Sequence, residues 1–351
     1  MTNEIVLGHA PCEKWEICDM KEENIRPEVL MRDNHELHIK DVHELLTQRK
    51  DFVQIPCPAC ECTKNKFIFD KNGFTFVSCV ECGTVFINPR PTLEMLVNFY
   101  KCSNSIKHWN DYIFPQSEEH RRNQIFAPRA KKIVELCRKY EIRTKVLIDV
   151  GAGFGTFGQE IKKLNMFNEV IVIEPSTDLA KSCLQKDLNV IAKSIEEIRD
   201  DELEKADVVT NFELIEHLFW PKDFLLTCRR ILRPKGLFIF TTPNIRGFDL
   251  QVLSKLSENI GGPNHVNYFH PDSITRLLEN TGFEVLEIIT PGKLDAELVR
   301  NKILSGDFEV SNHPFLKQIL IEKWGNVGES FQDFLANNGL SSHMWVIAKK
   351  R

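Results

Sequence analysis

The stretch VLIDVGAGFGTFGQEI, Val146–Ile161, decides the fold: a short apolar run, an acid, and then four glycines within eight residues. Such a pattern asks for a strand, a tight turn and the start of a helix. Two fingerprints overlap in it. Gly153, Gly155 and Gly158 spell GxGxxG, the turn that holds a dinucleotide pyrophosphate, whereas Asp149, Gly151, Gly153 and Gly155 spell DxGxGxG. Outward from this turn, KVLIDV, EVIVIEP, LNVIAK, ADVVTNF, GLFIFTTP, FEVLEIIT and MWVIAKK are apolar segments separated by helical spacing. That alternation predicts a doubly wound α/β sheet with mostly parallel strands. Ligands of such sheets sit at the carboxyl ends of the strands, where the glycine turn lies.

An acid about 20 residues beyond the glycines holds ribose hydroxyls in either reading, and Glu174, closing VIVIEP, supplies it. The discriminating residue is Asp149. Its carboxylate stands where a pyrophosphate would be repelled and the ammonium of an amino acid would be attracted. A ligand with both a ribose and an amino-acid group is S-adenosylmethionine. Gly158 is read as helix-to-sheet packing rather than ligand contact.

Two close cysteine pairs lie far upstream. CPAC brings Cys57 and Cys60 to one turn and CVEC brings Cys79 and Cys82 to another, with 18 residues between the pairs. Two such knuckles complete a tetrahedral four-sulfur shell, the geometry of a closed structural zinc site. Between them, KFIFDKNGFTFVS reads as two short strands around an Asn-Gly turn, so 51–92 is expected to be a zinc ribbon. Whether Cys62 joins the metal stays open. Such a closed shell leaves no position for water, so its metal serves folding rather than catalysis. From Asp51 to Thr92 four basic residues face four acidic ones, which gives no footprint for a nucleic acid.

The whole chain of 351 residues has a formal net charge of -5 and 42% hydrophobic content, enough for two or three domains and a substantial core. No apolar run approaches the roughly 18 residues that cross a bilayer, and the start lacks a signal-like segment, so a cytoplasmic location with no membrane partner is expected. Residues 1–50, with Cys12, Cys18 and four histidines, show no clear period and receive no role. Residues 93–144 read as a helical linker. Its cluster Arg121, Arg122, Arg129, Lys131 and Lys132 is either an anion site or, more simply, a solvated helix face.

DVGAGFG, IEPS, ADVVTNFELIEHL and LRPKGLFIFTTPN, in that order, resemble the motifs of class I S-adenosylmethionine-dependent methyltransferases. The resemblance covers the chain from about Val146 to its end and implies a seven-stranded, Rossmann-like sheet over 145–351. It implies that Gly151, Gly153 and Gly155 let the backbone approach the methionine part, with Asp149 supporting its amino group. Glu174 would hold the ribose, and Pro175, Ser194 and Ile195 would flank adenine. Asn211, Phe212 and Glu213 would border the reacting methyl.

With KDFVQIPCPAC, CGTVFINPRPT, FELIEHLFWPKDFL and NHVNYFHPDS added, the chain is similar to zinc-ribbon methyltransferases associated with sugar and surface-polysaccharide biosynthesis. The acceptor so implied is a sugar or nucleotide-linked sugar. An alcohol acceptor must lose a proton, and His217 is the candidate base because an imidazole's ordinary pKa, about 6.5, suits the task. Glu213 and Glu216 are placed to orient it or bind the acceptor. GGPNHVNYFHPDS reads as a loop forming a second acceptor wall, with His265, Asn267 and Tyr268 offering hydrogen bonds to a polyol, and His270 leading into a helix. Helical spacing over about 292–338 offers a lid, a homodimer surface or plain packing. Carbon methylation of a keto-sugar, RNA methylation with the ribbon as grip, and cofactor binding without turnover are the competing readings; the acidic balance argues against RNA.

Overall fold

The computed structural model describes residues 22–199 and 201–351; Cys12, Cys18 and His9 lie outside the described residues. Among the described residues eleven strands occur: β1 (Asn65–Lys71), β2 (Phe74–Cys79), β3 (Val85–Ile87), β4 (Val146–Val150), β5 (Glu169–Ile173), β6 (Asn189–Ile191), β7 (Ala206–Phe212), β8 (Leu232–Pro243), β9 (Asn267–Tyr268), β10 (Phe283–Ile289) and β11 (His343–Lys350). Seven of them form one sheet in the order β10-β11-β8-β7-β4-β5-β6. Strands β4 to β8 pair in parallel, and β11 runs antiparallel to both β8 and β10.

The central strand β4 reads as an unbroken buried run because helices cover both faces of a parallel sheet. Its side chains still alternate. Val146, Ile148 and Val150 join the core that holds Phe224, Leu277 and Phe240, while Leu147 joins the opposite core with Ile133, Ile161 and Val208. The chain leaves β4 toward β5 and β6 on one side and returns to β7 and β8 on the other. The strand order therefore reverses at β4, and a crevice opens beyond its carboxyl end.

The ribbon is a second sheet, β1-β2-β3-β9. Its hairpin turns on Asn72 and Gly73, with φ of 49° and 81°, the left-handed pair that a two-residue hairpin turn requires. Strand β9 belongs to the segment read from sequence as a free loop. It is instead the ribbon's fourth strand, Val85 pairing with Tyr268 and Phe86 with Asn267.

Arg90 completes this junction. Its side chain is 0% exposed. Nε donates to the Ile87 carbonyl (3.2 Å), Nη1 to the Phe219 carbonyl (3.4 Å), and Nη2 to the Val266 carbonyl (3.1 Å) and Asn267 Oδ1 (2.9 Å). Phe219 and Phe86 lie against the guanidinium at 5.6 and 6.0 Å. Burial pulls its pKa down to about 9, which leaves it charged at neutral pH.

Helices from Leu93 to Lys139 precede β4 and reach the carboxyl ends of the strands, where Phe114 stacks on Phe154 and Arg129 lies over Phe212. Four of the five basic residues of the cluster they carry are engaged within the chain. Arg122 is paired with Glu118 and Glu160, Arg121 Nη2 donates to the Ile25 carbonyl, Arg129 lies over Phe212 at 4.8 Å, and Lys132 meets Glu135. The helix Glu28–Leu46 buries Asp41, whose carboxylate accepts from Ser103 Oγ and the Ser105 N–H. Between β10 and β11, the helices Asp295–Leu304 and Trp324–Asn337 build a separate small core with Leu253. Among the described residues no helix is long and apolar enough to cross a membrane.

Arg90→Ala removes the donor from four buried acceptors, of which the Val266 carbonyl keeps the Ile87 N–H, and each unpaired buried group costs about 1–3 kcal/mol. A loss of about 3 kcal/mol or more in urea unfolding is expected, with Arg90→Lys recovering under half because an ammonium cannot span the same acceptors. A shift below about 1 kcal/mol would contradict this role.

Candidate functional site

The site forms where β4, β5 and β7 end. After Val150 the backbone turns through Gly151, Gly153 and Gly155 at φ of 74°, 56° and 72°, conformations that side chains rarely adopt. The three positions differ in what surrounds them. A Cβ on Gly153 would meet nothing within 4 Å, whereas one on Gly155 would lie 2.8 Å from Cys183 Sγ and Leu188 Cδ1. One on Gly151 would lie 2.9 Å from Leu214 Cδ2, and one on Gly158 the same distance from Val172 Cγ1. Gly153 therefore borders the open crevice, and Gly155, like Gly158, is required by packing.

Glu174 is lashed to this turn. Its Oε2 accepts from the Gly153 N–H (2.8 Å) and its Oε1 from the Ser176 N–H (2.9 Å), which fixes the carboxylate at the end of β5. Burial raises its pKa, against the pull of those two amides. Asp149 is 2% exposed and accepts one hydrogen bond, from Thr210 Oγ1 at 2.8 Å. Burial pushes its pKa up to about 7, with the Thr210 bond and Arg129 acting the other way. Asn211, next along β7, is fully buried with neither side-chain oxygen nor nitrogen partnered. Buried amides are ordinarily bonded, so this one marks a place for a missing polar group.

Pro175 is exposed at the end of β5, and Ser194 caps the short turn Ile195–Glu197, where Ile195 is buried in the core. Phe212 is not free in the crevice. It packs edge-on against Phe157 and Trp345 at 4.6 and 5.7 Å, under the Arg129 guanidinium.

Beyond β7, Glu213 takes φ 51° and a tight turn, Ile215–His217, follows. Glu213 Oε1 accepts from Thr241 Oγ1 (2.5 Å) and lies near Arg129 and His343. Burial opposes its ionisation, but His343 and Arg129 outweigh burial and hold it below the usual carboxylate range. Glu216 is fully buried: Oε2 accepts from Thr242 Oγ1 at 3.0 Å and Oε1 has no partner. Burial, then the Glu213 charge, raise its pKa well above the ordinary value.

His217 Nδ1 lies 2.8 Å from the Asn264 carbonyl. A carbonyl only accepts, so the proton sits on Nδ1 and the lone pair on Nε2. Tyr100 donates its hydroxyl proton to the same carbonyl (3.1 Å) and lies 2.9 Å from Nδ1. His265 repeats the arrangement, its Nδ1 being 3.1 Å from the Asn259 carbonyl. The two rings lie 4.7 Å apart at 77°. Burial, then His265, push the His217 pKa down to about 3. This corrects the expectation of an imidazole titrating near its ordinary value: His217 is neutral at physiological pH and a weak base in the free enzyme.

Tyr268 is likewise corrected. It is 0% exposed, and its hydroxyl accepts from the Gly261 N–H (2.9 Å) and donates to the Asn259 carbonyl (3.4 Å), bracing the loop instead of facing an acceptor. Asn267 is spent in the same way on the Leu218 carbonyl and Arg90. His270 donates from Nε2 to the Cys82 carbonyl at 2.8 Å.

In the ribbon, Cys57, Cys60, Cys79 and Cys82 bring their sulfurs within 4.8 Å of one another, with the Cys57–Cys82 and Cys60–Cys79 pairs at 3.5 Å. Cys62 stands apart, its sulfur engaged with the Lys64 backbone. Arg90, Tyr100, Thr242 and His343 escaped the sequence reading. None lies in a recognisable spacing, and each acts through contacts between segments far apart in the chain.

Residues 118–288 match the family model described as a methyltransferase domain. The chain is 40% identical over 80 residues to a Mycolicibacterium smegmatis protein named "Probable S-adenosylmethionine-dependent methyltransferase", which is 23% of this chain and 29% of that protein. It is 26% identical over 174 residues to the ubiquinone biosynthesis O-methyltransferase of Coxiella burnetii, 47% of this chain and 73% of that protein. Among solved structures, an S-adenosylmethionine-dependent methyltransferase from Archaeoglobus fulgidus aligns over 68% of this chain and 100% of its own, with 21% identity and a TM-score of 0.45. The chain thus spans under a third of the length of the mycobacterial relative and about three quarters of the Coxiella one. Residues 118–288 are thus similar to a methyltransferase domain and span the parallel strands of the seven-stranded sheet.

Substitutions in the turn should separate the two kinds of glycine. Gly153→Ala meets only the left-handed backbone penalty, about 1 kcal/mol, while Gly155→Ala adds a clash worth about 1–3 kcal/mol more. Urea midpoints of the two variants check this, and equal losses would contradict it.

Proposed function

We propose that this enzyme transfers the methyl group of S-adenosylmethionine to a hydroxyl, with the cofactor seated across the carboxyl ends of β4, β5 and β7. The observation that carries the reading is the buried Asp149, held by a single hydroxyl at the end of β4, with the open side of Gly153 following it and the unpartnered Asn211 at the end of β7. A buried carboxyl with one hydrogen bond suits the ammonium of an amino acid and would repel a pyrophosphate. Glu174 then holds the ribose, with Pro175, Ser194 and Ile195 along the adenine. Aligning the acceptor oxygen with the sulfonium methyl supplies much of the acceleration in such a displacement. His217, Glu216 and His265 line the side of the crevice where the acceptor enters, and His217, through Nε2, promotes loss of the acceptor's proton.

The acceptor we favour is a sugar or nucleotide-linked sugar, which rests on the similarity of the ribbon and of FELIEHLFWPKDFL to sugar-modifying enzymes. A hydroxylated aromatic ring is the second reading, favoured by the names of the relatives in Coxiella burnetii and Bos taurus. The four ribbon cysteines fit a zinc ion: sulfurs about 3.8 Å apart surround a metal at about 2.3 Å in a tetrahedron, close to the 3.5 Å spacings here. With every position filled by sulfur, such an ion would stabilise the ribbon against which the His265 loop is built.

Asp149 supplies a pH signature. Its folded pKa, about 7, stands above the ordinary 3.8, so the folded chain holds this proton more tightly than the unfolded one. The group therefore favours folding below about pH 4, and that contribution is lost as pH rises through about 7. An ammonium docked beside it reverses the shift, so cofactor binding in this window releases a proton. Calorimetry near pH 6 in two buffers of different ionisation enthalpy should register that release, and Asp149→Asn should abolish it and weaken affinity about tenfold or more. Buffer-independent heats for the unsubstituted protein would contradict the assignment.

Mass spectrometry of products from sugars, nucleotide sugars and dihydroxylated aromatics tests the acceptor. A gain of one methyl on a sugar is expected, and methylation of the aromatics alone would favour the second reading. His217→Ala should lower turnover about 100- to 10,000-fold with cofactor affinity unchanged. Full activity in that variant would remove His217 from the chemistry.

A further inference from the structure

Three donor atoms converge on the acceptor side of the crevice, and one of them, Glu216 Oε1, has no partner. The donor atoms of Glu216, His217 and His265 all lie within 4.8 Å of one another, and His217 Nε2 is 3.8 Å from Glu216 Oε1. Every other polar atom of the three side chains is tied back. Thr242 holds Glu216 Oε2, and the Asn264 and Asn259 carbonyls take the Nδ1 protons of the two histidines. Glu216 Oε1, fully buried, has no partner. A hydrogen bond between Nε2 and this oxygen does not resolve the problem, because 3.8 Å is beyond hydrogen-bond reach.

We propose that Glu216, His217 and His265 bind a divalent transition-metal ion, distinct from the four-cysteine site, and that this ion takes the acceptor hydroxyl oxygen. The proposal rests on the reading of the crevice as a methyl-transfer site. An imidazole whose Nδ1–H is held by a backbone carbonyl presents Nε2 to a metal in the usual way, and both histidines are so held. Two imidazoles with one carboxylate suit a transition metal better than magnesium or calcium, which favour all-oxygen shells. Around an ion at about 2.1 Å such donors stand about 3–3.5 Å apart, so each moves inward by under about 1 Å. Three protein ligands leave positions for an exchangeable oxygen.

The ion's part is to make that oxygen nucleophilic at neutral pH. The bound hydroxyl releases its proton to water, and the oxygen's electron pair forms the new bond to the methyl carbon. The electrons of the carbon–sulfur bond return to sulfur, so the sulfonium becomes the neutral thioether of S-adenosylhomocysteine. His217 then serves as a ligand instead of a proton acceptor.

The ribbon explains why the set is held ready. Val266, beside His265, donates its N–H to the Glu216 carbonyl (3.0 Å), and its own carbonyl accepts from the Ile87 N–H (3.0 Å) and Arg90 Nη2 (3.1 Å). Both histidine-bearing segments are thus pinned to one backbone position and to the ribbon's third strand.

The test uses the full chain with its cysteine site loaded with zinc, freed of weakly held metal and titrated with Mn2+. Loss of the free-ion electron paramagnetic resonance signal counts the bound ion. One Mn2+ per chain is expected, weakened about 100-fold or more in Glu216→Gln and in His265→Ala, since changes outside the ligand shell alone cost about 10–100-fold. Asp149→Asn, placed at the cofactor, should bind Mn2+ as the unsubstituted chain does. No uptake by the unsubstituted chain, or equal affinity in both ligand variants, overturns the proposal. If Glu216→Gln does not fold, the partly exposed His265 decides through its own variant. The readout needs neither cofactor nor acceptor. Mn2+ uptake without methyl transfer would therefore overturn the proposed function alone, and methyl transfer unaffected by stripping the ion would overturn the metal site alone.

Discussion

The fully buried Arg90 guanidinium, with four uncharged acceptors drawn from both sheets' surroundings, is the constraint on which the arrangement of this molecule depends. A buried cation without a carboxylate persists only where carbonyls and ring faces surround it closely. That requirement forces Ile87, Phe219, Val266 and Asn267 together, and with them the ribbon, the segment after β7 and the segment ending in β9. The ribbon is therefore part of the crevice wall and not an appendage on a linker. The pairing of β3 with β9 extends the same connection along the backbone.

From this junction the chemistry of the crevice follows. Its cofactor side is built from strand ends of the large sheet and contains groups that burial has made uncomfortable: Asp149 raised to about 7 and Asn211 without partners. Its acceptor side is built from loops that the ribbon braces and holds a buried carboxylate oxygen beside two neutral imidazoles. Folding alone leaves the Asn211 amide on one side and Glu216 Oε1 on the other without partners. Such strain is characteristic of sites whose missing partners arrive with a ligand.

The seven strands of the large sheet were legible because parallel strands buried on both faces must be apolar throughout, and runs such as VLIDV and FIFTT announce themselves. Cysteine spacing announced the clustering of Cys57, Cys60, Cys79 and Cys82 for an equally local reason. The strand β9 was not legible. Two residues, Asn267 and Tyr268, pair with a partner about 180 positions earlier, and nothing in NHVNYFHPDS marks that pairing. The same holds for Tyr100, which meets His217 from a distant helix. His217 itself was found by its place after β7, but its state was misjudged, because an ordinary pKa ignores the burial that this enclosure imposes. Gly155, which the resemblance implied lets the backbone approach the methionine part, also has Cys183 and Leu188 against the place a Cβ would take, so packing demands glycine there as well.

The central claim is that the crevice beyond β4 seats a sulfonium-bearing amino acid with its methyl toward His217. A crystal structure of the complex with S-adenosylhomocysteine tests it most directly. The account places the amino group within hydrogen-bond distance of Asp149, the ribose on Glu174 and the sulfur facing the His217–His265 side. Density for the adenosine elsewhere, or a dinucleotide pyrophosphate lying against Gly153 when both compounds are offered, would contradict it.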